Sequence, residues 1–227
     1  MIVRVWERVV RMGVGDRVVV ATDHSEIANA LHAVGADVVM TSPDCGSGTE
    51  RVAEVARLPE FARYEAFVNV QGDEPYIGAD CVRAAAEMVT SGRFPLGTSA
   101  AVAEDEIFDR PTVVKVVVGV DGRALYFSRA PIPFLRDAAD ALARAPLTLQ
   151  HIGVYAYSRE ALDRWLALPV HPLEEVERLE QLRPLAHGIP MGVAVVHDRP
   201  EAGIDTEDDL QRANARWAAF AQEHSLT

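Results

Sequence analysis

An apolar run that ends on an acid is the first feature of this sequence able to do chemistry. Val70-Gln71-Gly72-Asp73-Glu74-Pro75 closes a strand-like stretch with a carboxylate. Gly72 allows close backbone approach and Pro75 stiffens the turn. In open α/β sheets, ligands sit beyond the carboxyl ends of the strands. An acid there can hold Mg²⁺, which takes oxygen ligands and keeps waters and substrate phosphates around it. The competing reading is an Asp that caps the helix beginning near residue 79. Gly203-Ile204-Asp205-Thr206-Glu207-Asp208-Asp209-Leu210 has the same character. Asp205 follows the last apolar run and precedes the last helical pattern. Either Asp205 or Thr206 can cap that helix, with the following acids suited to its dipole. Asp73 and Asp205 together place two carboxylates at the mouth of one sheet, an arrangement used in phosphoryl transfer through a shared cation.

Three further groups could contact a ligand. In Gly46-Ser47-Gly48-Thr49-Glu50-Arg51, small residues run into a helix start. Free backbone N–H groups there, at Gly48 and Thr49, can hold an anion or a base edge, and Arg51 lies one turn in. An ordinary Thr49 N-cap is the alternative. Lys115 is the only lysine of the chain, set in the apolar run Val113–Val118. It either partners a phosphate or carboxylate at a site or points outward from an edge strand. Ser128-Arg129 ends another run, and Arg129 suits bidentate capture of a carboxylate. His151, Gly153 and Tyr155 alternate along one strand face, with a half-buried polar pair as the plainer reading. Glu174, Glu177 and Glu180 recur at helical spacing opposite Leu173, Val176 and Leu179, and Gln181 follows; by spacing alone this is a solvated helix face.

Positioning these residues requires a regular frame, and the patterning supplies one. Ile2, Val5, Trp6, Val9 and Val10 have helical spacing, stopped by Gly13 and Gly15. Strands are expected at 17–22, 37–41 and 66–71, with helices at 24–34, capped by Asp23, from Thr49, and at 79–91. That alternation argues for a parallel sheet covered on both faces. The second half differs: strands at 97–103, 113–119, 124–128 and 151–157, with Asp121-Gly122 as a hairpin turn. Helices at 159–167 and 173–187, a strand at 192–196 and a helix over 206–223 complete the reading. The stretch 134–149 is expected to be a surface excursion containing a helix.

Composition bounds the function. The 227 residues suit one α/β domain, 1–227, with 113–157 as a small lobe. A net charge of −12 speaks against a duplex nucleic-acid binder. Two cysteines, Cys45 and Cys81, have no metal-ligand spacing and fit a reducing, cytoplasmic setting. No run reaches the ~20 apolar residues that span a bilayer, and the charged opening is not a signal peptide. No G-x-G-x-x-G follows a strand, which leaves a dinucleotide oxidoreductase without support.

Taken jointly, TDH (22–24), SGTER (47–51), VNVQGDEP (68–75), VVKVV (113–117), ALYFSR (124–129), HIGVYAY (151–157), PLEEVERLEQLR (172–183) and GIDTEDDL (203–210) resemble the 3-deoxy-manno-octulosonate (Kdo) cytidylyltransferases over nearly the whole chain. The resemblance implies a three-layer, Rossmann-like nucleotide-sugar transferase fold, with a mixed, mostly parallel sheet and an antiparallel sugar-binding and dimerisation lobe. It implies that CTP and Kdo give CMP-Kdo and pyrophosphate for lipopolysaccharide synthesis, in a Mg²⁺-dependent cytoplasmic homodimer. Asp73 and Asp205 match metal-binding positions. Thr49, Arg51 and Gln71 match positions near the cytidine. Arg129 matches the sugar-carboxylate contact, and His151, Tyr155, Glu180 and Gln181 match the sugar pocket.

The chain departs from that pattern at its start. Members of the family open with a strand and an R-x-x-S-x-R-x-P-G-K-x-L loop that holds the triphosphate, whereas Met1-Ile2-Val3 aligns with the helix after it. Without that strand, apolar surface and unpaired backbone are expected inside the sheet, with weak CTP binding. Two other readings stay open: a cytidylyltransferase for a related sugar acid, such as amino-Kdo or a sialic acid, and a non-catalytic sugar-binding homologue.

Overall fold

The computed structural model describes residues 1–103, 108–197, 203–204 and 206–223. The first half alternates as its periodicity predicts: α1 (Ile2–Met12), β1 (Val20–Thr22), α2 (Ser25–His32), β2 (Val38–Met40), α3 (Gly48–Ala56), β3 (Ala66–Asn69) and α4 (Ala79–Thr90). Then come β4 (Leu96–Val102), β5 (Lys115–Val118), β6 (Ala124–Ser128), the short α5 (Ala141–Arg144) and β7 (Leu149–Ser158). The chain continues through α6 (Arg159–Ala167), α7 (Pro172–Glu177), α8 (Leu182–Ala186), β8 (Met191–Val196) and α9 (Glu207–Glu223). The expected excursion over 134–149 is there, built from α5 between two 3₁₀ turns.

The mixed α/β architecture is as expected, but its strands are divided. β1 and β2 pair in parallel by themselves, while six strands form a second sheet in the order β6-β5-β7-β4-β8, with β3 also on β7. β3, β4, β5 and β8 run one way, and β6 and β7 run against them. β1 and β3 are not hydrogen-bonded to each other; α3 packs against both. β1 is shorter than the run 17–22 because only Val20 to Thr22 meet partners on β2.

β7 organises the large sheet. One of its edges is taken by β4 along its length; the other holds β5 at Leu149 and Gln150 and β3 from Tyr155 to Ser158. Its odd-numbered side chains, Leu149, Tyr155 and Tyr157, enter the core under α3, α6 and α8. Ile152 and Val154 enter a second core with Cys81, Val82 and Ala85 of α4. The helix-bearing face is closely built. A Cβ on Gly97 would lie 2.4 Å from the Ala85 carbonyl oxygen, so α4 rests directly on the β4 backbone.

Two helix readings are corrected. Asp23 does not cap α2; His24 does, without a side-chain bond, while its N–H is held by Thr22 Oγ1. The helix expected over 173–187 is two helices, because Arg178 takes a left-handed conformation (φ 55°). The faces also differ from the expected ones: Val176 is 82% exposed while Leu179 is buried, and Glu174, Glu177 and Glu180 turn inward. They are not a solvated face.

Candidate active site

The site can be built from α3 upward. Ser47, not Thr49, caps the helix, its hydroxyl accepting from Glu50 N at 3.2 Å. Thr49 is thereby free to point inward. Its hydroxyl donates to Glu180 Oε1 at 2.9 Å and lies 3.1 Å from Tyr157 Oη, which joins α3, β7 and the α7–α8 turn. Burial pushes the Glu180 carboxyl above the usual carboxylate range, with bonds from Ser47 and Thr49 opposing the shift. Beside it Gln181 is 2% exposed, and its amide Nε2 is one of two buried polar atoms without a partner among the described residues.

From this corner an aromatic ladder runs along β7. The rings of Tyr157 and Tyr155 stack at 6.3 Å, Tyr155 meets His151 at 5.4 Å, and His151 meets Phe127 edge-on at 5.0 Å. Burial raises the Tyr155 phenol well above its ordinary pKa and drops the His151 imidazole to about 3, so both are neutral at pH 7. His151 Nε2 lies 2.9 Å from Thr98 Oγ1. Gln71, beyond the end of β3, reaches across to the Gly153 carbonyl at 3.3 Å. Gly153 leaves room for that reach, since a Cβ would sit 2.8 Å from Gln71 Nε2 and push the amide aside.

Asp73 lies in the turn after β3, where the sequence placed it. The Ile204 N–H donates to the Asp73 carbonyl at 3.0 Å, and Gly203 packs over Glu74. The segment that leads to Asp205 therefore crosses the Asp73 turn; Asp205 itself lies outside the described residues. Of the two cap candidates, Thr206 serves α9: its hydroxyl accepts from Asp209 N at 3.2 Å. Carboxylates in this turn are hard oxygen donors and fit a hard divalent cation. Arg51, on α3, is held by Thr41 and, at 3.4 Å, by Asp23, which fastens its side chain over the ends of β2 and β1. Gly48 is exposed at the α3 entry, where a Cβ would lie 3.0 Å from Asn69 Nδ2, while Thr49 beside it is buried.

Arg129 takes a different posture from the free fork expected of a carboxylate ligand. Its Nε donates to the Glu177 carbonyl at 2.9 Å and its terminal nitrogens to the carbonyls of Pro111 and Arg178 at 3.1 and 3.4 Å. Glu177 in turn accepts from Ser128 Oγ at 2.6 Å and Arg129 N at 2.9 Å, a clasp that sequence spacing did not reveal. Lys115 must be corrected outright. It is 0% exposed, so it does not point outward from an edge strand, and its partners are backbone carbonyls rather than a carboxylate. Its Nζ donates to the carbonyls of Arg110, Val113 and Arg129 at 3.0, 2.7 and 2.5 Å, and desolvation lowers its pKa. An ammonium has three donors, and all are spent on backbone.

The acid turn after β3, the polar start of α3 after β2 and the buried Glu180 carboxylate fit a nucleotide-transferring enzyme of the Rossmann-like class, in which ligands bind beyond the carboxyl ends of the strands. The cytidylyltransferase family profile matches residues 1–191. The chain is 57% identical to the 3-deoxy-manno-octulosonate cytidylyltransferase of Gemmatimonas aurantiaca over 96% of its length and 84% of the relative's. Against the enzyme of that name from Herminiimonas arsenicoxydans the identity is 46%, covering 93% of this chain and 86% of the other. The solved structure of a CMP:2-keto-3-deoxy-manno-octonic acid synthetase complexed with CTP superposes with a TM-score of 0.87 at 35% identity, covering 96% and 87% of the two chains. The chain belongs to the cytidylyltransferase family, in its 3-deoxy-manno-octulosonate branch.

Proposed function

We propose that this enzyme activates 3-deoxy-D-manno-octulosonate with CTP, giving CMP-Kdo and pyrophosphate for lipopolysaccharide synthesis in the cytoplasm. The anomeric hydroxyl of the sugar acid attacks the α-phosphate of CTP; a new O–P bond completes a C–O–P linkage, the hydroxyl proton passes to water, and pyrophosphate leaves with the electron pair of the broken P–O bond. The observation that carries this reading is the Ile204–Asp73 hydrogen bond of 3.0 Å, which brings the last strand-to-helix segment over the acid turn of β3. Asp73 and Asp205 would hold Mg²⁺, which when bound neutralises phosphate charge.

The protein's own groups do the rest by placing the reactants. Gly48, Thr49, Arg51 and Gln71 surround the cytidine side of the site. His151, Tyr155, Glu180 and Gln181 line the sugar side, with Arg129 at its rim as the carboxylate contact. The two guanidinium N–H groups that Arg129 does not spend on backbone carbonyls are its means of doing so. Pairing of two copies through the lobe 113–157 and its neighbours is part of the proposal. Phe134 and Leu142 there are 84% and 91% exposed, as apolar side chains awaiting a partner surface would be.

Pyrophosphate release from CTP plus Kdo, with and without Mg²⁺, tests the reaction. Amino-Kdo and sialic acid in place of Kdo test the sugar. Release with CTP and Kdo that needs Mg²⁺ is the expected result. Preference for another sugar acid moves the chain to the related reading, and binding of Kdo without release makes it a non-catalytic homologue.

A further inference from the structure

The β4–β7 ladder contains an irregularity beside the ligand face. Thr98 pairs with Tyr155 but Ser99 pairs with Ile152, so Gly153 and Val154 have no counterpart on β4. Thr98 Oγ1 sits against this bulge, 2.7 Å from the Val154 carbonyl oxygen, 3.3 Å from that of Ile152 and 2.9 Å from His151 Nε2. A hydroxyl has one proton. Both carbonyls can only accept, so that proton goes to the bulge, chiefly to Val154. The contact with His151 then requires the proton to come from the imidazole. On the other side of the ring, Nδ1 makes no hydrogen bond among the described residues. It is not one of the buried polar atoms left without a partner, which are Arg144 Nε and Gln181 Nε2, so solvent or a ligand reaches it.

We propose that Thr98 is a positioning residue that holds His151 in its Nε2–H tautomer, so that the accessible Nδ1 lone pair accepts a hydrogen bond and selects a ligand offering a hydroxyl there. A carboxylate or phosphate oxygen at the same place would face a lone pair and be rejected. The selection, though not the tautomer, rests on His151 lining the sugar side of the site. Desolvation that drops the imidazole pKa to about 3 agrees with a neutral ring. Bulges of this kind re-aim side chains next to functional sites.

Long-range ¹⁵N–¹H spectra of the whole labelled protein distinguish the two imidazole tautomers, and His151→Gln assigns the signal. The Nε2–H pattern is expected in the wild type and in Thr98→Ser. A mixture is expected in Thr98→Val, whose KM for Kdo rises about tenfold, the scale of one hydrogen bond, with kcat and the KM for CTP unchanged. A wild-type Nδ1–H pattern overturns the proposal. So does a rise in the KM for Kdo that Thr98→Ser fails to restore or that CTP shares, because it marks general loosening. If the Nε2–H pattern holds while His151→Gln leaves the KM for Kdo unchanged, the pocket reading fails and the selection falls with it. Should Thr98→Val fail to fold, the wild-type and Thr98→Ser spectra still decide the tautomer.

Discussion

The Thr49 hydroxyl donates to Glu180 Oε1 at 2.9 Å across 131 residues of sequence. This bond ties the entry of α3 to the turn between α7 and α8, two segments that the proposed reaction assigns to the nucleotide and the sugar. Its acceptor is a carboxylate with a folded-state pKa raised mainly by burial. The folded protein therefore binds the Glu180 proton more tightly than the unfolded chain. Its contribution to stability is most favourable at acid pH and declines as pH climbs from the ordinary carboxylate pKa through the raised one. Glu180→Gln keeps an acceptor for Thr49 and removes the ionisation. We expect an equal or more stable protein at pH 7, a flatter pH–stability profile by denaturation, and a loss of turnover of about tenfold or more from the missing charge.

Asp73→Asn keeps the shape of the β3 turn and removes one negative oxygen. Pyrophosphate release is expected to fall at least about a hundredfold, with the Mg²⁺ requirement shifted to higher concentration. Asp205→Asn should behave alike. Full activity in either variant removes that residue from the site.

Gly153 and Gly97 separate function from folding. A methyl group at Gly153 meets the far end of the Gln71 side chain at 2.8 Å, which can swing away. Gly153→Ala should fold normally and raise the KM for CTP several-fold. At Gly97 the clash is 2.4 Å with backbone, the Ala85 carbonyl, which cannot yield. Gly97→Ala should cost about 3 kcal/mol or more in urea unfolding, within the upper range for overpacked cores.

Lys115 closes the clasp at the base of the lobe by binding the Arg129 carbonyl at 2.5 Å. Lys115→Met leaves three carbonyls without their donor and should destabilise by about 3 kcal/mol, the upper range for bonds to a charged group. Lys115→Arg should not rescue it, because a planar fork cannot occupy a space shaped for an ammonium. Thermal melting together with the KM for Kdo reads both the clasp and its hold on Arg129.

The exposed Phe134 and Leu142 test assembly. Phe134→Asp with Leu142→Asp should weaken self-association at least tenfold in sedimentation equilibrium while leaving the melting of the monomer within about 1 kcal/mol, as surface changes do. Unaltered association locates the interface elsewhere.

What the sequence determined by itself was local. Glycine and Asp-Gly punctuation placed the elements. Alternation along β7 put His151 and Tyr155 on one face, and the order of the motifs identified the family. The 3.6-residue period also assumed an unbroken helix over 173–187, and there it failed. The helix ends at left-handed Arg178, and tertiary contacts with Ser128, Thr49 and Arg183 hold the acids inward while Val176 faces out. Lys115 could not be read as a buried clasp because its three acceptors are backbone carbonyls, which every residue carries and no pattern marks. Thr98 was invisible for the same reason: its role depends on a two-residue slip between β4 and β7. Only the tertiary structure fixes which strand edges meet and in what register. Those contacts decide where each proton and each buried charge finds its partner.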